Sequence, residues 1–233
     1  MDFSLDKIVS FLYVIFVLLV SLSVHESAHA YIAEKRGDST GKMLGRITLN
    51  PLKHLDLVGS FIVPIALFIF GLPVFGWAKP VPVNTRNFKN IRFDNGIVAA
   101  AGPISNFILS MIGVLVMAFY MIIVGATSFY SQISEPYSIP QLLLMVVSIN
   151  LLLAIFNIIP IYPLDGSHII EAVLPKGTIL STYEKIKPFG FLILLFFIMT
   201  PLLGIVLRTF MDLVMKYFVF LPLSLLSMLL SGR

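Results

Sequence analysis

Three residues, His25, Glu26 and His29, form an HExxH motif whose side chains could bind a metal ion and activate water. Residues four apart lie on one face of an α-helix. Both imidazoles can therefore reach the same ion, while Glu26 projects beside them toward an open coordination position. The competing interpretation is a pair of histidines that hydrogen-bond to neighbouring helices.

The motif lies within an apolar run from Ile8 to Ala33, long enough to be a membrane helix. A charged side chain at the centre of such a helix costs roughly 2.5–3.5 kcal/mol on insertion scales, so this cluster of polar groups indicates a function. The chain has no cysteine, which excludes thiolate ligands. The pattern predicts a metal site in a membrane helix, built from imidazole and carboxylate groups.

A catalytic zinc ion typically has three protein ligands and a water, so the two histidines need a third partner. Asp165 is the best candidate in the sequence. It lies in a segment, residues 157–166, where two prolines and a glycine break the helix while the chain is still apolar. Irregular backbone at membrane depth is tolerated only where it is buried in protein or lines a cavity. The alternative is that Asp165 is a turn or cap residue ahead of a helix beginning near Ser167.

The composition indicates a polytopic membrane protein with an all-α fold. Apolar residues make up 58% of the 233-residue chain and charged residues 12%, and several apolar runs are long enough to cross a lipid bilayer. We predict one integral domain over residues 1–233. The net charge of +4 is modest and sits in loops, a pattern that points to membrane topology and not to nucleic-acid binding.

About three membrane-crossing helices are predicted in the core of the domain, residues 8–175. They are the run that carries the HExxH motif, a second helix over about 97–124 and a third over about 142–159. The apolar segment 55–72 is interrupted by a glycine and a proline, so we predict a re-entrant hairpin there.

Basic residues follow the first helix, the 55–72 segment and the third helix, and the positive-inside rule assigns these loops to the cytoplasm. The 128–141 segment has Glu135 but no lysine or arginine, which predicts an external loop. We therefore expect a multi-pass protein of the cell membrane. In this topology the active site lies toward the cytoplasmic side of the membrane. The apolar pattern of residues 189–230 predicts one or two extra helices. They could form two spans, or one span plus a helix that lies at the membrane interface.

Two polar stretches between the helices, Gly41 to Asn50 and Lys79 to Asn84, have extended patterns and predict short β segments. A helical substrate hides its carbonyls in its own hydrogen bonds and must unwind before attack. Such segments could hold the unwound substrate by strand addition. Within the predicted helices, we expect the side chains of Asn106 and Asn150 to form hydrogen bonds to neighbouring helices.

The motifs and their order resemble the site-2 protease family of intramembrane zinc metalloproteases. The resemblance rests on the HExxH motif, on Gly102-Pro103-Ile-Ser-Asn106 and on the 157–166 segment. Two further stretches, Gly45 to Pro51 and Gly76 to Asn84, resemble the shorter prokaryotic members. The PDZ and CBS domains of some relatives are not expected here. His168 differs from the arginine or other residue expected at this position in similar proteins.

The resemblance implies that His25, His29 and Asp165 bind one zinc ion per chain. It further implies that Glu26 is the general base and that Asn157 helps to stabilise the oxyanion. The expected function is hydrolysis of peptide bonds in or near transmembrane segments of membrane protein substrates. The oligomeric state stays open.

Two other functions are compatible with polar groups inside the membrane. An ion or metal transporter would bind and release an ion through the same histidines and carboxylates. The position of Glu26 next to a ligand and the lack of obvious inverted halves argue against it. A catalytically silent membrane scaffold is the second alternative, and the complete set of ligands and base argues against that.

Overall fold

The protein is described by a computed structural model that covers residues 5–72, 74 and 76–231. Its described residues fold into α-helices joined by short connections and 3-10 turns. The helices are α1 (Leu5–Lys35), α2 (Thr40–Met43), α3 (Val58–Ile69), α4 (Ile91–Val124), α5 (Ala126–Ile133), α6 (Ile139–Ile158), α7 (Asp165–Val173), α8 (Thr178–Ile186), α9 (Gly190–Met199) and α10 (Pro201–Leu230).

Four of these helices, α1, α4, α6 and α10, are long and apolar enough to cross a membrane. The protein is therefore a multi-pass membrane protein. Thr200 has extended backbone angles and Pro201 begins α10, which separates α10 from the 10-residue α9. Because a span needs about 20 residues, α9 is too short to cross alone, and the carboxyl-terminal region contains one candidate span.

Helix α4 is the centre of the bundle and contacts α1, α6 and α7. Small residues allow the close approach: a Cβ at Gly113 would lie 2.7 Å from Cγ2 of Val147 on α6, and one at Gly96 would lie 2.3 Å from Cβ of Ala172 on α7. The Ser110 hydroxyl donates to the Val147 carbonyl over 3.2 Å. These contacts hold the helices that carry the site against one another.

The first residue of α4 is Ile91, six residues before the start that the apolar pattern predicts. The Asn90 side chain accepts a hydrogen bond from the Phe93 amide, and Asp94 accepts one from the Asn90 amide. This reciprocal cap satisfies amides of the first turn. Arg36 lies 3.4 Å from the buried Asp94 carboxylate. Polar residues that resembled a loop in the sequence thus form the beginning of a long helix.

The 128–141 segment, predicted as a loop, contains most of α5. Phe129 explains the difference, because its side chain is fully buried in a cluster with Met117, Met121 and Val147. A free loop would leave this aromatic side chain exposed. Its burial makes a short amphipathic helix the favourable structure here.

The 55–72 segment forms the single 12-residue helix α3, whose first residues, Val58–Ile62, are π-helical. Gly71 has a positive φ of 67° just after the helix. The chain then turns back, and the Trp77 amide donates to the Gly59 carbonyl over 3.1 Å. A helix of this length is about 18 Å long and shorter than the hydrocarbon core.

The predicted β segments are wrong, because the structure has no strand in the part of the chain that it describes. Thr40–Met43, which overlaps the first stretch, is helical. Residues 79–84 have no regular secondary structure, and their bonded amides donate to the His54 carbonyl and to the Glu26 and Asp38 carboxylates, not to another strand. Two prolines in this stretch also lack the N–H that a ladder needs.

Candidate metal centre

Helix α1 presents His25 and His29 on one face toward Asp165, the first residue of α7. The Nε2 atoms of the two histidines lie 3.1 and 3.4 Å from Oδ2 of Asp165. All three ligand atoms lie within 4.8 Å of one another. The structure therefore brings together the three residues that the sequence predicts as metal ligands. Asp165 also begins its helix, two residues earlier than expected.

The hydrogen bonds of the two imidazoles fix which nitrogen is free. His25 Nδ1 lies 2.6 Å from Oδ1 of Asn106, and His29 Nδ1 lies 2.7 Å from the carbonyl oxygen of Val98. Both partner atoms are acceptors, so each Nδ1 carries the hydrogen and donates it. In the neutral imidazole each Nε2 consequently has a lone pair on the side of Asp165, the arrangement of histidines that bind metal ions.

Asp165 supplies the test of whether a cation fits. Its Oδ2 atom is buried and has no hydrogen-bond partner. When both imidazoles are neutral, their two lone pairs and a carboxylate oxygen converge, which is unfavourable unless a cation lies among them. Two histidines and one carboxylate are a ligand set of catalytic zinc sites, and they leave a coordination position open. The residues present fit zinc.

Gly102 of α4 creates the room for the two histidines. A Cβ at this position would lie 2.4 Å from Nε2 of His29 and 2.5 Å from Nε2 of His25. A second glycine, Gly166, permits the tight connection from α6 to α7, because a Cβ there would lie 2.2 Å from the Ile158 carbonyl oxygen. Gly102 thus allows close approach of backbone to the site, and Gly166 allows close approach of backbone to the end of α6.

Asn106 orients His25 and was not predicted as part of the site. Its amide nitrogen donates to the Ser21 carbonyl over 3.1 Å and to Oδ1 of Asn150 over 2.8 Å. These bonds direct Oδ1 of Asn106 at His25. The Asn106–Asn150 bond joins two helices, as predicted for each residue separately, but neither their pairing nor the role of Asn106 toward the imidazole was predicted. One signal was available: Asn106 follows Gly102 by four residues, so both face the same side of α4.

Glu26 lies beside the ligands and lines a cavity of about 420 Å³. Its Oε2 atom accepts a hydrogen bond from the Val81 amide over 2.8 Å. The cavity is also lined by His25, His29 and Asp165. Glu26 therefore borders the same space as the candidate ligands, as the helical spacing of the motif predicts.

Asn157, near the end of α6, lines the same cavity. Its amide nitrogen donates one hydrogen bond to the Leu153 carbonyl of its own helix over 3.0 Å. The amide group has two hydrogens, so one remains for another acceptor. The structure thus brings Asn157 to the cavity, together with the four other residues that the sequence predicts for the site.

His168 also lines the cavity, one turn after Asp165 on α7. Its Nδ1 atom lies 3.1 Å from Nδ2 of Asn95 and 3.3 Å from Oε2 of Glu171. Lys187 holds Glu171 through two contacts of 2.8 Å. Burial, and then the positive charge of Lys187, lower the pKa of His168 below its ordinary value of 6.5. Burial and this neighbouring charge thus favour the neutral form of the imidazole.

Arg92 fixes the carboxyl-terminal end of α7 from α4. Its guanidinium donates to the backbone carbonyls of Glu171 and Leu174, which have no partner within the helix. At the other end, the Tyr183 hydroxyl donates to the carbonyl of Ser167 in the first turn of α7 over 3.4 Å. Asp165 is thus positioned by a helix that is held at both ends.

Comparison with known proteins identifies the family of the chain. The model of peptidase family M50 matches residues 13–201. The chain is 39% identical to YwhC of Bacillus subtilis over 82% of this chain and 81% of that protein, and YwhC is a zinc metalloprotease by name.

Two more distant relatives also carry the name of zinc metalloproteases. Rip2 of Mycolicibacterium smegmatis is 28% identical over 92% of this chain and 76% of that protein. MJ0392 of Methanocaldococcus jannaschii is 26% identical over 70% of this chain and 35% of that protein. No solved structure gives a significant match. The chain belongs to peptidase family M50, the site-2 protease family of zinc metalloproteases.

Proposed function

We propose that this protein is an intramembrane zinc metalloprotease that cleaves peptide bonds in or near transmembrane segments of membrane proteins. One observation carries the proposal: the free Nε2 atoms of His25 and His29 converge with the unpaired Oδ2 of Asp165 beside Glu26. This cluster lies in a bundle of candidate membrane helices and borders a cavity. A soluble metalloprotease needs no such scaffold.

The ligands in this proposal are His25, His29 and Asp165, with one zinc ion per chain. Zinc bound there supplies a Lewis acid for the scissile carbonyl and lowers the pKa of a bound water. Glu26 accepts the proton of the attacking water and delivers it to the leaving amine. Its Oε2 is engaged by the Val81 amide, which leaves the other carboxylate oxygen for this proton transfer.

The proposed task of Asn157 is to stabilise the oxyanion that forms when water attacks the carbonyl. Its bond to the Leu153 carbonyl holds the side chain at the cavity and leaves one amide hydrogen to donate. A fixed donor of this kind stabilises developing negative charge without reorganising during the reaction.

The site end of the bundle is proposed to face the cytoplasm of a cell membrane. Arg36 at the end of α1 pairs with Asp94 at the start of α4, and Lys187 pairs with Glu171 on α7. Basic residues from two regions, Arg36 and Lys187, therefore lie at the end that carries Asp165. The positive-inside rule favours the cytoplasm for this end.

The experiment is a cleavage assay with single-span membrane peptides in bicelles, with the cut sites mapped by mass spectrometry. Wild-type protein is expected to cut in or near the apolar segment. Glu26→Gln should keep its zinc and lose activity by about 10²–10⁴-fold, because the general base is gone. Full activity of Glu26→Gln, or cuts confined to segments far from the membrane, would contradict the proposal.

A further inference from the structure

Residues 76–84, which we call the strap, connect α3 to the turn before α4 and have no regular secondary structure. The amino-terminal half of the strap is bound through its backbone. The Trp77 amide donates to the Gly59 carbonyl over 3.1 Å, and the Lys79 amide donates to the His54 carbonyl over 2.8 Å. This half is therefore fixed to the 54–59 region.

The other end of the strap is bound by Asp38, which is fully buried after α1. Oδ2 of Asp38 accepts the Asn84 amide over 2.8 Å. Its Oδ1 accepts the side-chain amide of Asn87 over 2.7 Å and the hydroxyl of Thr40 over 2.6 Å. The carboxylate thus ties the strap to the end of the helix that carries the HExxH motif.

Between these anchors the strap meets Glu26 through one group. The Val81 amide donates to Oε2 of Glu26 over 2.8 Å. The neighbours of Val81 are Pro80 and Pro82, and proline has no N–H. The Val81 amide is therefore the one backbone donor between residues 79 and 83.

The side chain of Val81 keeps this amide in place. Val81 is buried at the seam between α1 and α2. A Cβ at Gly41 would lie 3.0 Å from Cγ1 of Val81 and 3.1 Å from Cβ of Ala30. The backbone at Val81 is thus held by two anchors and by packing.

We propose that the Val81 amide is the positioning group of Glu26. The inference rests on the proposed role of Glu26 as general base. A glutamate side chain has three rotatable bonds, and a charge-assisted hydrogen bond from a rigid backbone amide restricts them. Fixing one carboxylate oxygen in this way aligns the other for proton transfer. An error of about 1 Å in such an alignment can lower a rate about 10²-fold.

The first test is hydrogen exchange of backbone amides, measured by NMR on zinc-loaded protein labelled with ¹⁵N-valine and ¹⁵N-lysine. The Val81 amide should exchange slowly in wild type and faster in Glu26→Ala. The Lys79 amide, which bonds to His54, is the internal control and should not change. Fast exchange of Val81 in wild type, or unchanged exchange in Glu26→Ala, would overturn the proposal.

The second test removes the donor itself. A residue before proline already favours extended backbone, so Val81→Pro deletes the N–H with little change of conformation. Val81→Ala keeps the N–H and loses the side chain. Relative to Val81→Ala, we expect Val81→Pro to have a kcat lower by about 10–100-fold at similar KM on the single-span peptides. Equal losses, or a gain of activity in Val81→Pro, would refute the positioning role.

A third variant covers the case in which Val81→Pro misfolds. Replacing Val81 by its α-hydroxy analogue substitutes an ester for the amide and keeps the side chain, and the same loss of kcat is expected. Zinc per chain is measured throughout. Wild type without zinc would overturn the proposed function itself. Full zinc in every variant, with no kinetic difference between ester and amide, would overturn only the role of Val81.

Discussion

Gly102 faces the imidazole of His29 so closely that a Cβ built on the glycine would lie 2.4 Å from Nε2. Helix α4 therefore forms a wall of the metal centre with its backbone. A methyl group there must displace His29, His25 or the helix.

The first prediction concerns this contact. Gly102→Ala should weaken zinc binding by about 10–100-fold, a loss of the size seen when supporting contacts of metal sites are removed. Competition with a fluorescent zinc chelator measures the affinity. Gly113→Ala on the same helix is the matched control, because its methyl would press on the Val147 side chain and not on a candidate ligand. Equal zinc affinity of Gly102→Ala and wild type would contradict the geometry.

A second prediction follows from the bond between His25 and Asn106. Asn106→Ala removes the acceptor that fixes the imidazole tautomer and should lower zinc affinity about 10–100-fold. Ser110→Ala, one turn further along α4, also removes a buried hydrogen bond, but to the Val147 carbonyl. It should destabilise the fold and leave zinc affinity unchanged. Similar affinities in both variants would remove Asn106 from the site.

The third prediction separates Asn157 from the metal ligands. Asn157→Ala should retain zinc and lose about 10²–10³-fold in kcat, the loss expected for one donor to an oxyanion. The assay is cleavage of the single-span peptides, and zinc content is measured on the same samples. A variant with unchanged kcat would show that Asn157 only caps the Leu153 carbonyl.

Acid should release the strap through Asp38. Burial alone would raise its pKa, but the hydrogen bonds from Thr40, Asn84 and Asn87 outweigh burial and lower the pKa below 3.8. A lowered folded-state pKa gives stability that is present above the unfolded pKa of about 3.9 and is lost as pH falls through the folded pKa.

The measurement compares Tm of wild type and Asp38→Asn in detergent, with a chelator present so that metal release at low pH does not contribute. Wild type should be more stable by a constant margin above about pH 5, and the margin should shrink below about pH 4. A margin that is constant down to pH 3 would show that the Asp38 charge does not hold the strap.

The grouping of the three candidate metal ligands could be predicted from the sequence because their geometry is local or nearly so. His25 and His29 share a helix face by spacing alone, and the broken apolar segment around Asp165 indicated a buried irregular backbone. The structure brings the three side chains together. The resemblance to the site-2 protease family is confirmed by the family match.

Contacts between distant segments could not be predicted in the same way. Nothing in the spacing shows that Asn106 accepts from His25, 81 residues away, or that the Val81 amide reaches Glu26 across 55 residues. The β segments failed for a related reason. A sequence pattern typical of strands does not show whether a partner strand is present. Here carboxylate side chains and a loop carbonyl accept the hydrogen bonds that a partner strand would accept.

The early start of α4 was missed because hydropathy cannot distinguish a capped polar turn from a loop. Asn90, Arg92 and Asp94 lower the apolar character of the segment, yet each is satisfied by a specific partner in the fold. The helix boundary thus depends on hydrogen bonds that include the carbonyls of α7.

Zinc content of purified wild type and Asp165→Ala tests the central claim most directly, because Asp165 completes the ligand set. Asp94→Ala is the control, since it also removes a buried carboxylate but one that pairs with Arg36. Wild type and Asp94→Ala should contain about one zinc per chain, and folded Asp165→Ala should contain almost none. Zinc-free wild type that is well folded, or full zinc in Asp165→Ala, would contradict the account.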